Sequence, residues 1–134
     1  MESLAQPALQ QTTKRQVLAQ IFICSGCCCG HTERGKPPVP IEWLKDQWKK
    51  RKLKPHVQLT ISGCLGPCDL VNVVAIMTAN EQIWLGGIQE DSTYEAIMDW
   101  ASSSVTLGYL PPLPVKLHEH IFERFEPVRS AEHV

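Results

Sequence analysis

The spacing of apolar residues changes several times along the chain, and each change predicts an element. From Val17 to Ile23 the apolar positions are nearly continuous: Val17, Leu18, Ala19, Ile21, Phe22 and Ile23. A short, partly β-branched run closed by turn-forming residues predicts a buried strand. From Ile41 the spacing becomes helical, with Ile41, Leu44 and Trp48 on one face. Pro40 suits the first turn of that helix. Lys49, Lys50, Arg51 and Lys52 complement the negative end of its dipole, and Pro55 stops it. His56 to Ser62 then alternates, with Val57, Leu59 and Ile61 on one side, the pattern of a half-buried strand. Val71, Val73, Val74, Ile76 and Met77 predict a third strand, and Gln82 to Leu85 a fourth. Only Ala79-Asn80-Glu81 separates them, so they should pair as an antiparallel hairpin. Ser92-Thr93-Tyr94-Glu95 reads as a capping box opening a helix through Ile97 and Trp100 to about Ser102.

The order is β-α-β-β-β-α. A strand, crossover helix and second strand form a right-handed βαβ unit with parallel strands. Adding the hairpin and final helix gives an α/β fold of thioredoxin-like type, a four-stranded mixed sheet with flanking helices. Residues 1-15 are polar and unpatterned and read as a flexible arm; residues 16-104 form the domain. Residues 105-134 are a Pro-rich C-terminal extension. Within it, Leu110-Pro111-Pro112-Leu113-Pro114 predicts an extended linker. Lys116 to Phe125 predicts one short helix with Leu117, Ile121 and Phe125 on a shared face. His118 and His120 are expected to be solvated.

Composition narrows the function classes. A chain of 134 residues with net charge −1 lacks the basic surplus of a nucleic-acid protein. It has no apolar run long enough to span a bilayer. Met1 to Arg15 has no apolar centre, so it does not read as a secretory signal. The expected location is therefore cytoplasmic. No phosphate-binding glycine loop is present, since Gly63-Cys64-Leu65-Gly66 lacks the third glycine and helix start of a dinucleotide site. No paired-carboxylate or Ser-His-Asp pattern stands out.

All six cysteines fall in two short segments, Cys24-Ser25-Gly26-Cys27-Cys28-Cys29-Gly30 and Cys64-Leu65-Gly66-Pro67-Cys68. Each segment follows a predicted strand. If those strands are parallel neighbours, both clusters share the carboxyl edge where α/β sheets usually bind ligands. In a chain without export, such density points to metal binding or redox chemistry rather than a disulfide framework. Four converging thiolates suit tetrahedral zinc or an iron-sulfur cluster. The second segment offers Cys64-x3-Cys68; the first offers Cys24 with any of Cys27, Cys28 or Cys29. Cys24-Ser25-Gly26-Cys27 also allows a dithiol reading, but Gly30 and several prolines separate it from the helix start that lowers a reactive thiol pKa. His31 reads as a loop residue, because four cysteines already suffice. The basic run from Lys45 to Lys54 reads as a solvated helix end, with docking of an acidic redox partner as the alternative.

Cys24-x4-Cys29, then Gly-Cys-Leu-Gly-Pro-Cys-Asp, a valine-rich strand and Ile83-Trp84-Leu85-Gly86-Gly87, together resemble the thioredoxin-like [2Fe-2S] ferredoxins. Related domains serve as the small iron-sulfur subunit of NADH dehydrogenases and hydrogenases. The resemblance covers about Val17 to Ser102. The Cys-Cys-Cys-Gly variant is similar to stand-alone ferredoxin-like proteins, some associated with cobalamin synthesis. The resemblance implies a [2Fe-2S] cluster held by Cys24, Cys29, Cys64 and Cys68, although the triplet leaves Cys27 and Cys28 as substitutes for Cys29. It also implies one-electron transfer between protein partners rather than enzymatic catalysis, in a family whose members often form homodimers. The short arm leaves no room for the helical bundle of the dehydrogenase subunits, which points to a separate carrier. A metal-binding accessory protein of a chelatase or cofactor-synthesis pathway is the alternative, followed by a thioredoxin-like dithiol oxidoreductase. Gly30, Gly63 and Gly66 are expected to let backbone N–H groups approach the sulfurs.

Overall fold

In the computed structural model, which describes residues 11–128, β1 (Ala19–Cys24) lies inside a four-stranded sheet of order β2-β1-β3-β4. The arm expected over residues 1-15 falls mostly outside the described residues. β2 (Val57–Ser62) runs parallel to β1, reached through helix α1 (Ile41–Lys50). β3 (Val74–Thr78) and β4 (Gln82–Leu85) form the expected hairpin, antiparallel to each other and with β3 antiparallel to β1. Helix α2 (Asp91–Leu107) completes the order. This is the thioredoxin-like mixed sheet that the sequence pattern predicts.

The period-2 alternation divides the sheet into two unlike faces. Ile21, Ile23, Val57, Val74, Ile76 and Leu85 point to the side covered by both helices. There they meet Leu44 and Trp48 of α1, and Tyr94, Ile97, Met98 and Trp100 of α2. Cys24, Ala75 and Trp84 belong to a second, smaller apolar cluster, with Phe22, Met77, Leu65 and Phe122 packed against it.

Helix α2 departs from expectation at both ends. Ser92 lies inside the helix, the residue before it is Glu90, and no side chain caps the start. The helix continues past Ser102 because its serines are satisfied locally. Ser103 Oγ donates to Asp99 O at 3.0 Å, and buried Ser104 Oγ donates to Ala101 O at 2.6 Å. The stop is Gly108, whose φ of 82° is the left-handed conformation that glycine adopts without strain.

The C-terminal extension also differs from its sequence pattern. Val115–His120 is a 3-10 turn rather than the start of a helix to Phe125, and of the expected face only Leu117 is buried. Ile121 and Phe125 are exposed. Leu110, Leu113 and Leu117 pack on the helix-side core. The chain then passes the outer edge of β4: Gly86 N–H donates to His120 O at 2.8 Å and Phe122 N–H to Trp84 O at 2.9 Å. These bonds cover an edge that would otherwise present unpaired backbone groups. His120, expected in solvent, instead places Nδ1 2.8 Å from Gly86 O with its side chain 15% exposed.

Candidate metal centre

Parallel pairing of β1 and β2 sets Cys24 opposite Ser62, so both cysteine segments leave the same end of the sheet. Ser25 N–H donates to Ser62 O at 3.1 Å, and Cys24 N–H to Val73 O at 3.0 Å, fixing where the first segment departs. The triplet then folds into a tight turn. Gly26 N–H donates to Cys29 O and His31 N–H to Cys28 O, each at 3.1 Å. His31 Nδ1 lies 2.7 Å from Cys27 O, so this ring nitrogen serves the loop, as its reading as a loop residue expects.

This turn sorts the cysteines by depth. Cys24 and Cys29 are buried, at 4% and 2% exposure, against Val73, Ala75 and Trp84. Cys27 and Cys64 are exposed, and Cys28 and Cys68 are intermediate. Cys64 and Cys68 bring their sulfurs within 3.2 Å, and Cys27 and Cys28 within 3.9 Å. Among the described residues, no three Cys, His, Asp or Glu side chains stand ready around a single metal ion. The nearest thiols lie in pairs, and Cys27 and Cys28 in turn face Cys64 and Cys68.

Protonation follows burial at Cys29 and thiol-to-thiol bonding at the outer cysteines. Burial, then the neighbouring Cys24, pushes the Cys29 thiol up to about 12, although the Val73 backbone N–H opposes the shift. Within the outer pair, the Cys68 hydrogen bond lowers Cys64, aided by the Gly66 N–H, while the same partnership pushes Cys68 up to about 12. Cys64 is thus the thiol that ionises first of that pair. Cys27 is raised, chiefly by its bond with Cys28. A reactive Cys24–Cys27 dithiol needs the opposite shift.

Two side chains not singled out from sequence complete the site. Asn72 is fully buried. Its Oδ1 accepts from Gly30 N–H at 2.8 Å, and its Nδ2 donates to Pro37 O at 2.9 Å and Pro38 O at 3.2 Å. It therefore ties the cysteine turn to the proline loop. The signal was an amide within the apolar run Val71 to Ile76, because a polar group placed there must find partners. It also means that the Gly30 N–H is spent on Asn72 and does not serve a sulfur. Val73 takes that role, alongside the expected Gly66. The second side chain is Tyr94 in the first turn of α2. It is 1% exposed, and its hydroxyl has no hydrogen-bond partner. Burial raises its pKa; the Asn72 side chain beside the hydroxyl opposes the rise without meeting hydrogen-bond geometry, and nearby Cys29 and Cys24 add to it.

The donor set fits an iron-sulfur group. It offers soft thiolates in pairs, backbone N–H groups at Cys29 and Cys64, and an unpartnered buried hydroxyl close by. The basic run at Lys49–Lys54 is remote from it. β2 begins just after that run and extends six residues, about 20 Å, to the cysteine end.

The fold and site define a thioredoxin-like α/β domain with a cysteine centre at the carboxyl edge of its parallel strands. No protein-family model matches the chain, and no curated protein matches it. Two solved structures are similar to it, both of a thioredoxin-like [2Fe-2S] ferredoxin from Aquifex aeolicus. One, the wild-type crystal structure at 1.5 Å, shares 17% identity at a TM-score of 0.48 over 81% of this chain and 100% of the other. The second shares 16% at 0.47 over 84% of this chain and 96% of the other. Among the described residues no helix is long and apolar enough to cross a membrane.

Proposed function

We propose that this chain holds a [2Fe-2S] cluster and carries single electrons between protein partners. The observation that carries the reading is the paired arrangement of thiols at one sheet edge, with Cys24 and Cys29 buried and Cys64 and Cys68 3.2 Å apart toward solvent. A tetrahedral zinc needs four sulfurs around one point, about 3.8 Å from each other for Zn–S bonds of about 2.3 Å. A two-iron cluster takes its thiolates as two pairs. When bound, such a cluster accepts one electron from a reduced donor and yields one to an oxidised acceptor, with no protein acid, base or nucleophile required.

The residues divide that work. Cys24, Cys29, Cys64 and Cys68 are the ligands, with Cys29 preferred within the triplet because it is buried beside Cys24 and receives the Val73 N–H. The Val73 and Gly66 N–H groups stabilise negative charge on sulfur. Val73, Ala75 and Trp84 keep water from the inner pair. The exposed side, at Cys64, is where a partner protein meets the centre.

Anaerobic purification with iron, sulfide and zinc analysis tests this, with visible spectra before and after dithionite. About two irons and two sulfides per chain, with reversible bleaching, are expected. Stoichiometric zinc without iron, retained after reconstitution with iron and sulfide, would remove the carrier reading and favour a metal-binding accessory role.

A further inference from the structure

The C-terminal segment passes the edge of β4 and reaches the cysteine loop, and the Arg124 side chain makes that contact. Arg124 lies against Gly66, the residue midway between Cys64 and Cys68. A Cβ on Gly66 would stand 2.5 Å from Arg124 Nη2, so the guanidinium occupies space that only a glycine leaves open. Gly66 also has φ of 116°, which side-chain-bearing residues rarely adopt. Above the loop, the Arg124 guanidinium carbon sits 5.5 Å from the Trp84 ring centroid and 5.6 Å from that of Phe125, within cation–π range of both. Phe122 and Phe125 each meet Trp84 edge-on, at 6.2 and 6.1 Å between centroids. The Nη2 to Leu65 O distance of 3.5 Å is too long to fix the group alone, so stacking provides the hold. Among the described residues Arg124 forms no ion pair. Its charge is permanent.

We propose that Arg124 is a positioning residue that seats the C-terminal segment on the Cys64–Cys68 loop and thereby fixes a positive charge beside the metal centre. The seating stands on the contacts above; its effect on potential rests on the cluster reading. Reduction adds negative charge to the centre, and a fixed cation nearby favours the reduced form. Arg124 is exposed, so added salt weakens the effect.

The test compares wild type, Arg124→Gln and Arg124→Lys in the full chain. With cluster loaded, the ratio of reduced to oxidised protein at fixed ambient potential should fall about threefold to tenfold in Arg124→Gln, a tenfold change being about 59 mV for one electron. Arg124→Lys, which keeps the charge, should retain most of the wild-type ratio. In cluster-free protein, amide exchange across residues 64–70 should quicken several-fold in Arg124→Gln. Unchanged exchange would overturn the seating, and an unchanged ratio in a loaded protein would overturn the charge effect. A chain that accepts no cluster would sink the carrier reading, while the exchange comparison would still decide the seating.

Discussion

Replacing Asn72 by alanine should destabilise the whole cysteine edge through one buried amide. The side chain makes three hydrogen bonds, to Gly30 N, Pro37 O and Pro38 O. Its backbone bonds with Ile88, 3.3 Å and 3.2 Å, would survive the substitution, so the loss belongs to the side chain. The two carbonyls lie on a loop that water reaches, and each loses about 0.5–1 kcal/mol. Gly30 lies against Val39, and the loss of its N–H bond costs about 1–2 kcal/mol. The sum is about 3 kcal/mol, a large share of the 5–15 kcal/mol of a typical domain. For a chain of 134 residues this lowers Tm by about 10 °C. Urea denaturation of the cluster-free protein measures it, with thiol labelling alongside. Cys29, slow to label in wild type because it is buried, should label quickly once the turn is released. A loss below about 1 kcal/mol, with Cys29 still protected, would refute the argument that Asn72 holds the turn. Asn72→Asp adds a sign test. Its buried carboxylate would face Pro37 O and Pro38 O, raising its folded pKa above the unfolded value of about 3.9. That variant should be most stable below the unfolded value and lose stability as pH rises through the folded one.

Cys64→Ala and Cys68→Ala should each abolish iron and sulfide uptake, and Cys29→Ser should too, whereas Cys27→Ser and Cys28→Ser should retain it; metal analysis separates these outcomes. Tyr94→Phe removes a buried hydroxyl without a partner, so chemical denaturation should show a stability change of less than about 1 kcal/mol. If that hydroxyl donates to sulfur in the loaded protein, Tyr94→Phe lowers the potential by about 40 mV, read by spectroelectrochemistry. Leu117→Ala should cost about 2–5 kcal/mol in thermal or urea unfolding, because Leu117 is fully buried although it lies in the C-terminal extension. Without cluster, stability should fall as pH rises from about 9 toward about 12. The raised Cys29 and Cys68 values favour their neutral thiols in the folded state, an advantage complete below the unfolded thiol pKa and lost through the folded one. Unfolding curves across that range test it.

The order of elements and the shared edge of the two cysteine segments follow from local pattern alone. Alternation at Val57, Leu59 and Ile61, helical spacing at Ile41, Leu44 and Trp48, and the short turn before Gln82 each depend on near neighbours. A βαβ crossover then makes the first two strands parallel, which carries Cys24 and Cys64 to one end without further information. Local pattern failed where a distant partner decides. Ser92-Thr93-Tyr94-Glu95 has capping-box letters, yet the helix starts two residues earlier than that box implies and buries Thr93 and Tyr94. Leu117, Ile121 and Phe125 have helical spacing, but backbone bonds from His120 and Phe122 to the edge of β4 draw that segment into an extended path.

Sequence by itself determined the α/β element order, the chemistry of six thiols and the sheet edge at which they gather. Tertiary structure decided which thiols are buried, because depth depends on Val73, just before β3, and on Ala75 and Trp84 of β3 and β4, all far along the chain. It also decided that Asn72 anchors the cysteine turn and that Arg124 lies over Gly66, contacts across 42 and 58 positions of sequence. Short-range periodicity records which way a side chain points; it holds no record of what meets that side chain from the other end of the chain.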